Sequence, residues 1–222
     1  MAYLVMIPIG YLLGSVPFGL IIGWFVKRVD VRDYGSGKTG MTNVLRTVGV
    51  KAAALSMALD MAKAISVVLL ARAIFDEPGA EVAGAVAALI GHNWPVYIGF
   101  RGGRGTASGL GGLFALSPWA GLVAALVGAS TIAITRWVSL GSILGTLFGV
   151  ATLAILIALG FAPVEYIWYS IFGGALVVGR HWDNILRLAK GEERKIGESV
   201  DTSGESPGKG RGKSFQWPKS AL

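Results

Sequence analysis

The stretch ASGLGGLFALSPWAGLVAALVGASTIAIT, residues 107–135, decides how often the chain crosses a membrane. As one helix it would be about 44 Å long at 1.5 Å per residue, which exceeds the ~30 Å apolar core of a bilayer. Ser117 and Pro118 interrupt it, and proline disfavours a continuous helix at this point. We therefore predict two spans here, one on each side of Ser117 and Pro118.

Five further apolar segments occupy approximately residues 3–26, 50–75, 82–100, 138–159 and 163–180. Hydrophobic residues make up 53% of the 222 residues and charged residues only 15%. With a mean hydropathy of +0.61, the chain is too apolar for an ordinary soluble domain. Together with the two spans above, these segments predict an all-α integral membrane protein with seven transmembrane helices.

The distribution of charged residues predicts how the spans are oriented. Lys27 and Arg28 follow the first apolar segment, whose start has no basic flank. We therefore place the N-terminus outside and the C-terminus in the cytoplasm. Six spans would put Arg136 and the basic segment 180–195 on the outer face, whereas seven put both in the cytoplasm. Four acidic residues then belong to outward loops: Asp76, Glu77, Glu81 and Glu165.

The chain is predicted to form a single transmembrane catalytic domain, residues 1–197, followed by a cytoplasmic tail, residues 198–222. The tail contains GESPGKGRGKS at 204–214, which has no apolar periodicity. Because such a composition cannot bury a core, we expect the tail to be disordered.

Several residues within the spans are predicted to be structural. Asp60 and Lys63 are three residues apart on one helical face, which favours an ion pair, with a direct substrate role as the alternative. His92 is expected to be a buried, hydrogen-bonded histidine. Gly141 and Gly145 are four residues apart, a spacing typical of close helix contacts.

A first polar segment, GSGKTGMTNVLR at residues 35–46, precedes the second span. Its glycines expose backbone N–H groups, and the following helix start adds partial positive charge, so an anion is the expected ligand. A nucleotide P-loop is not supported, because Arg32 stands where G-x-x-x-x-G-K-T requires its first glycine. A merely flexible basic loop would not explain Ser36, Thr42 and Asn43 beside the cations.

Two more polar segments are predicted on the same membrane face. In GHNWPVYIGFRGGRGTAS, residues 91–108, Arg101 and Arg104 flank glycines that let a phosphate approach the backbone closely. In HWDNILRLAKGEERKIG, residues 181–197, His181 and Asn184 share a face if the helix continues, where they could orient or deprotonate a hydroxyl. The three segments predict a cationic basin that accepts a dianionic head group together with an acyl chain.

The three segments, in this order and spacing, resemble the bacterial acyl-phosphate:glycerol-3-phosphate acyltransferase family. The resemblance includes GSVPFG at 14–19 and the Asp-x-x-Lys pattern of the second span. It implies an enzyme of the bacterial cell inner membrane with its active site at the cytoplasmic face. The implied reaction transfers a fatty acyl group from acyl phosphate to the 1-hydroxyl of glycerol 3-phosphate, giving lysophosphatidic acid and phosphate. This is the first step of bacterial phospholipid synthesis. The resemblance also implies contact with membrane lipid, and it implies no cofactor, no metal and no nucleic acid.

The resemblance also implies roles for individual residues. Four residues are expected to be catalytic: Ser36, Arg46, His181 and Asn184. Seven are expected to bind substrate: Thr42, Asn43, Gly102, Gly103, Arg104, Gly105 and Ser142, the last favoured over Ser139. Glu193 and Lys195 look structural. The chain departs from the family by Lys38 in place of Asn, Met41 in place of Ala, and Arg101 and Arg104 in place of Lys.

The chemistry is expected to be direct attack of the glycerol 3-phosphate hydroxyl on the acyl carbonyl. The chain has no cysteine, so no acyl group can rest on a protein thiol. His181 either orients the alcohol, which we favour, or removes its proton. Two other classes of membrane protein fit the sequence less well. An anion transporter would predict an inverted repeat that the sequence lacks. A CDP-alcohol phosphotransferase needs clustered aspartates, and here they are scattered.

Overall fold

A computed structural model describes residues 1–198 of the chain, and these residues form helices and turns without a β-strand. The expected tail, residues 198–222, lies almost entirely outside the described residues. Ten α-helices follow one another along the chain: α1 Ala2–Gly14, α2 Phe18–Lys27, α3 Met41–Thr47, α4 Val50–Phe75, α5 Pro78–Asn93, α6 Thr106–Leu116, α7 Pro118–Thr135, α8 Val138–Ala158, α9 Gly174–Arg180 and α10 Trp182–Ala189. The predicted all-α class is confirmed.

The predicted break between two helices at Ser117 and Pro118 is confirmed. α6 ends at Leu116 and α7 begins at Pro118. The Ser117 hydroxyl accepts a hydrogen bond from Ala120 N, as an N-cap does, and proline at the first helical position needs no N–H partner. The chain therefore changes direction here instead of continuing as one long helix.

Four helical stretches are long and apolar enough to cross a membrane: Ala2–Lys27, Val50–Phe75, Pro118–Thr135 and Val138–Ala158. The first of these is divided at Pro17 into α1 and α2. The last predicted segment, 163–180, is composite, with a 3-10 turn at Val164–Tyr166, a π-turn at Tyr169–Gly173 and then α9. Short and broken helices at this depth are tolerated where they line a cavity or pack against protein.

Glycines bring several helices into close contact. α7 and α8 pack along one another where Gly141 and Gly145 approach Gly128 and Ala124, and a Cβ at Gly145 would lie only 2.6 Å from the Ala124 carbonyl oxygen. The predicted helix contact of Gly141 and Gly145 is therefore confirmed. α1 packs on α5 in the same way, with Gly14 against the backbone of Ala88.

Large apolar side chains cover much of the exterior. Ile134, Leu4 and Phe161 are 82%, 80% and 78% exposed. An apolar exterior of this kind is suited to lipid, whereas water would penalise it. The interior holds several polar groups, including the predicted Asp60 and Lys63 ion pair at 2.8 Å.

Glu81 lies elsewhere than we expected. The charge pattern predicted an outward loop for it, but it forms part of the first turn of α5 and is buried. Its carboxylate accepts hydrogen bonds from Arg72 at 2.7 Å and from the Tyr166 hydroxyl at 2.7 Å. These partners lie on distant segments, so the local sequence could not reveal them.

Candidate active site

A cavity of about 390 Å³, the central cavity, lies between the helices, and all three polar segments contribute to its wall. Nine of the eleven predicted site residues line it: Ser36, Thr42, Asn43, Arg46, Arg104, Gly105, Ser142, His181 and Asn184. Ser139, the alternative to Ser142, lines it as well. Gly102 and Gly103 are absent from its wall.

Asn43 organises the first polar segment. Its side-chain amide donates to the carbonyls of Val31, Tyr34 and Lys38, at 2.5, 3.2 and 2.9 Å. Its side-chain oxygen accepts from Ser36 N at 3.0 Å. With the amide fully engaged and only 2% exposed, Asn43 fixes the loop conformation and thereby the position of Ser36.

Arg46 and Arg104 supply positive charge to the central cavity. Burial lowers the pKa of Arg46, and the nearby charge of Arg194 lowers it further. Burial, assisted by the charge of Arg187, lowers the pKa of Arg104 to about 10. Within residues 1–198, the buried Nε of Arg104 has no hydrogen-bond partner. Both guanidinium groups stay protonated at neutral pH, and a bound anion would relieve their mutual repulsion and desolvation.

Gly102 and Gly103 pack against the end of α5 instead of lining the central cavity. Gly103 N donates to the His92 carbonyl at 3.1 Å, and Arg180 donates to the Gly103 carbonyl at 3.2 Å. A Cβ on Gly102 would overlap the His92 backbone, and one on Gly103 would overlap the His92 ring. The two glycines therefore permit a close approach that positions the neighbouring Arg104.

His181 lies at the junction of α9 and α10. Its Nδ1 is 2.8 Å from the Val177 carbonyl oxygen, which can only accept, so the neutral ring carries its hydrogen on Nδ1. Nε2 is then an acceptor. Burial lowers the pKa of His181 to about 4, and the charge of Arg104 contributes. The imidazole is therefore neutral at physiological pH and can accept a hydrogen bond from a hydroxyl.

Asn184 and Ser139 are both held by Glu193. Asn184 Nδ2 donates to Glu193 Oε1 at 2.6 Å, and the Ser139 hydroxyl donates to the same oxygen at 2.7 Å. Glu193 Oε2 accepts from Arg187 Nε at 2.7 Å. Burial alone would raise the pKa of Glu193, but these three donors outweigh it and lower the pKa. The Ser142 hydroxyl, by contrast, donates to its own helix at the Val138 carbonyl, 2.9 Å away.

The segment after α10 returns to the turn between α7 and α8. Arg136 Nη2 donates to the Ile196 carbonyl at 2.9 Å, and Ile196 N donates to the Arg136 carbonyl at 2.8 Å. Trp137 Nε1 donates to the Glu193 carbonyl at 3.2 Å, and the Lys195 ammonium lies 5.8 Å from the Trp137 ring centroid. These contacts fix the backbone that carries Glu193 into the cavity wall.

The comparisons with known proteins agree on one family. The family model for glycerol-3-phosphate acyltransferase matches residues 4–191. This chain belongs to the glycerol-3-phosphate acyltransferase family. A glycerol-3-phosphate acyltransferase of Anaeromyxobacter sp. strain Fw109-5 is 46% identical over 198 residues, covering 87% of this chain and 96% of the relative. Glycerol-3-phosphate acyltransferase 3 of Dehalococcoides mccartyi strain 195 is 43% identical over 211 residues, covering 88% of this chain and 96% of the relative.

Two crystal structures of PlsY (YgiH), an integral membrane glycerol 3-phosphate acyltransferase, are similar to this chain. The glycerol 3-phosphate form superimposes with a TM-score of 0.81 at 38% identity, covering 89% of this chain and 96% of PlsY. The lysophosphatidic acid form gives a TM-score of 0.79 at 37% identity with the same coverage. Together with the apolar helices, this likeness identifies the present acyltransferase as a multi-pass membrane protein.

A glycerol-3-phosphate acyltransferase needs room for an acyl chain beside its polar groups. Apolar residues of four helices complete the central cavity: Met57 of α4, Leu110 and Leu113 of α6, Ala125 and Ile132 of α7, and Val150 of α8. The cationic end formed by the polar segments therefore continues into an apolar region within the helical bundle. This arrangement fits an amphiphilic ligand.

Two residues of this acyltransferase for which the sequence favoured a structural role line the central cavity. Asp60 and His92 contribute to its wall, and the Lys63 ammonium links them, 2.8 Å from Asp60 Oδ1 and 3.1 Å from His92 Nδ1. Lys63 also donates to the Val16 carbonyl at 2.9 Å. The sequence showed only a pair of charged residues within a predicted span, and such a pair forms either a structural ion pair or part of a functional site.

Proposed function

We propose that this enzyme transfers a fatty acyl group from acyl phosphate to the 1-hydroxyl of glycerol 3-phosphate, producing lysophosphatidic acid and inorganic phosphate. The observation that carries the proposal is the composition of the central cavity. Its polar end brings Arg46, Arg104 and Arg194 together beside Lys38, and most of its remaining wall is apolar. Several cations suit two phosphate groups, and the apolar region suits the fatty chain that one of the substrates carries.

The proposed reaction needs no covalent enzyme intermediate. The hydroxyl oxygen of glycerol 3-phosphate attacks the acyl carbonyl carbon, a C–O bond forms, and the bond from that carbon to the phosphate oxygen breaks. The departing phosphate takes the hydroxyl proton. Arg46 and Arg104 hold the two phosphates in position and offset the negative charge that develops during transfer.

His181 is proposed to orient the attacking hydroxyl. With its hydrogen fixed on Nδ1 by the Val177 carbonyl, Nε2 can accept a hydrogen bond from the alcohol. The lowered pKa makes His181 a weak base, so the leaving phosphate is the better proton acceptor. Asn184, held by Glu193, and Ser36, held by Asn43, complete the proposed substrate contacts.

The proposed residue roles follow the cavity geometry where it supports them. Thr42, Gly105 and Ser142 line the cavity and are proposed to contact substrate. Gly102 and Gly103 are proposed to act through the placement of Arg104. Asn43 is proposed to act through the loop that it organises.

The enzyme is proposed to span the bacterial inner membrane seven times, with its N-terminus outside and the central cavity opening to the cytoplasm. Residues 1–197 would form the catalytic domain, with residues 198–222 as a cytoplasmic tail. The chain has no cysteine, so single cysteines can be introduced and labelled. An impermeant maleimide should label Phe161→Cys from outside and Lys190→Cys only after lysis. The reverse pattern would contradict this topology.

The donor is tested directly with purified enzyme. Labelled glycerol 3-phosphate is incubated with palmitoyl phosphate or with palmitoyl-CoA, and labelled lysophosphatidic acid is measured. We expect product only with palmitoyl phosphate, and phosphate release only when glycerol 3-phosphate is present. Equal rates with palmitoyl-CoA would contradict the proposed donor. Phosphate flux into sealed vesicles that does not depend on glycerol 3-phosphate, without formation of lysophosphatidic acid, would favour a transporter.

A substitution of Arg46 tests the proposed site in the same assay. Arg46→Ala should abolish product formation while the protein elutes from size exclusion in detergent like the unmutated enzyme. Lys51→Ala, which removes an exposed cation in the first turn of α4, serves as the control for loss of charge and should retain activity. Normal turnover by Arg46→Ala would remove Arg46 from the active site.

A further inference from the structure

A second cavity of about 330 Å³, the entrance cavity, adjoins the central cavity. Ser36 and Lys38 line both, so the two are neighbours separated by the first polar segment. The wall of the entrance cavity is otherwise formed by the loop at 100–102 and by the junction of α9 and α10. None of the residues predicted to be catalytic lines it except Ser36.

The entrance cavity is strongly cationic. Lys38, Arg101 and Arg180 line it, and Asp183 is the one carboxylate that the described part of the chain contributes to its wall. Within residues 1–198, neither Lys38 nor Arg101 forms an ion pair, and Asp183 forms none with Arg180. The cations are therefore close together, and the carboxylates of Asp183 and Asp33 offset their charge without forming a close ion pair with them.

Two of these cations are restrained in ways that favour a bound anion. The Arg180 guanidinium lies 4.9 Å from the Trp94 ring centroid and donates to the Gly103 carbonyl, while its buried Nε has no partner among the described residues. Burial lowers the pKa of Lys38, and the charges of Arg180, Arg104 and Arg101 lower it further. Such crowding of like charges costs free energy that an anion would offset.

The chemistry of the wall limits the ligand to a small one. Among residues 1–198, Phe100 is the only large apolar side chain that lines the entrance cavity, which leaves no apolar region there for a fatty chain. Lysine and arginine side chains with glycine backbone are donors that bind phosphate. The ligand class is thus a small, water-soluble phosphomonoester or phosphate dianion.

We propose that the entrance cavity is a second anion site, where a phosphate dianion is held on its way between the cytoplasm and the central cavity. The inference rests on the proposed function, which supplies two such dianions, incoming glycerol 3-phosphate and outgoing inorganic phosphate. Lipid substrates would reach the central cavity through the apolar helices instead. The phosphate dianions and the lipid substrates would therefore reach the central cavity by separate routes.

Steady-state kinetics of two variants with opposite charge changes test this site. Arg101→Gln should raise the KM for glycerol 3-phosphate about three- to ten-fold at low ionic strength, with kcat unchanged. The reason is that fewer cations remain in the entrance cavity to attract the anion. Asp183→Asn should lower the KM. Added salt should reduce both differences by screening. Lys190→Gln removes a cation from an exposed position outside both cavities and should change neither constant.

The two sources of the dianion are separated by product inhibition. A raised KM identifies incoming glycerol 3-phosphate, whereas a raised inhibition constant for inorganic phosphate at constant KM identifies the outgoing product. Either result supports the site. If the unmutated enzyme turns over normally and Arg101→Gln changes neither constant, the entrance site is wrong and the proposed function stands. Absence of turnover by the folded, unmutated enzyme would overturn the proposed function and this site with it.

Discussion

Asn184 and Glu193 are joined by a hydrogen bond of 2.6 Å, so a carboxylate beyond the last helix fixes a side chain of the central cavity. Glu193→Gln should lower kcat/KM about tenfold, because it weakens a charge-assisted hydrogen bond worth about 1.5–3 kcal/mol and releases Arg187. Steady-state assays in detergent measure this. Glu192→Gln, an exposed neighbour, is the control. Unchanged kcat/KM in Glu193→Gln would show that Asn184 needs no such support.

The neutral tautomer of His181 leads to a prediction about catalysis. His181→Gln should retain a large share of turnover, since the glutamine side chain can also accept a hydrogen bond from the substrate hydroxyl. His181→Ala should lose much more. Turnover and substrate binding are measured separately for each variant. Loss of several orders of magnitude in His181→Gln with unchanged binding would instead identify a general base.

The same residue should make stability depend on pH. The pKa of His181 is about 4 in the folded chain, below its ordinary value of 6.5. Between these values the unfolded chain binds more protons, so stability falls as pH falls from about 6.5 towards 4. The Tm of the detergent-solubilised enzyme should therefore decrease over this range, and less so in His181→Gln. Identical pH profiles for the two proteins would contradict this assignment.

The close packing of Gly103 on His92 predicts that position 103 requires glycine although it does not contact substrate. In Gly103→Ala the new methyl group would overlap the His92 ring, which cannot retreat because Lys63 holds it. We expect kcat/KM to fall at least tenfold as Arg104 shifts, or the Tm to drop. Gly179→Ala is the matched control, since a Cβ there has no atom within 4 Å and Gly179 lines neither cavity. Full activity and stability of Gly103→Ala would rule out the requirement.

Local sequence patterns predicted the features that depend on local forces. The helix break at Ser117 and Pro118 follows from proline geometry and bilayer thickness, and the contact at Gly141 and Gly145 follows from helical spacing. The all-α class follows from composition. The seven-span count and the orientation stay predictions, because four helical stretches of the described residues qualify as spans by length and composition.

Contacts between distant segments could not be read from the sequence. No local pattern indicates that Gly102 and Gly103 pack against His92 instead of lining the central cavity. Nor does any local pattern indicate that the Asn43 amide donates to three carbonyls of its own loop. Glu193 looked structural from the resemblance, yet it lines the cavity while holding Ser139 and Asn184. The individual site roles remain predictions that the variants above address.

The pairing of Arg136 with Ile196 has a practical consequence for protein engineering. A chain truncated after α10 would keep all ten helices of residues 1–198, yet it would lack the segment 191–196, which brings Glu193 to Ser139. A version that keeps this pairing therefore needs Ile196, five residues beyond the region matched by the family model. Affinity tags and fusion partners belong after residue 198, and shorter versions should purify as intact but impaired proteins.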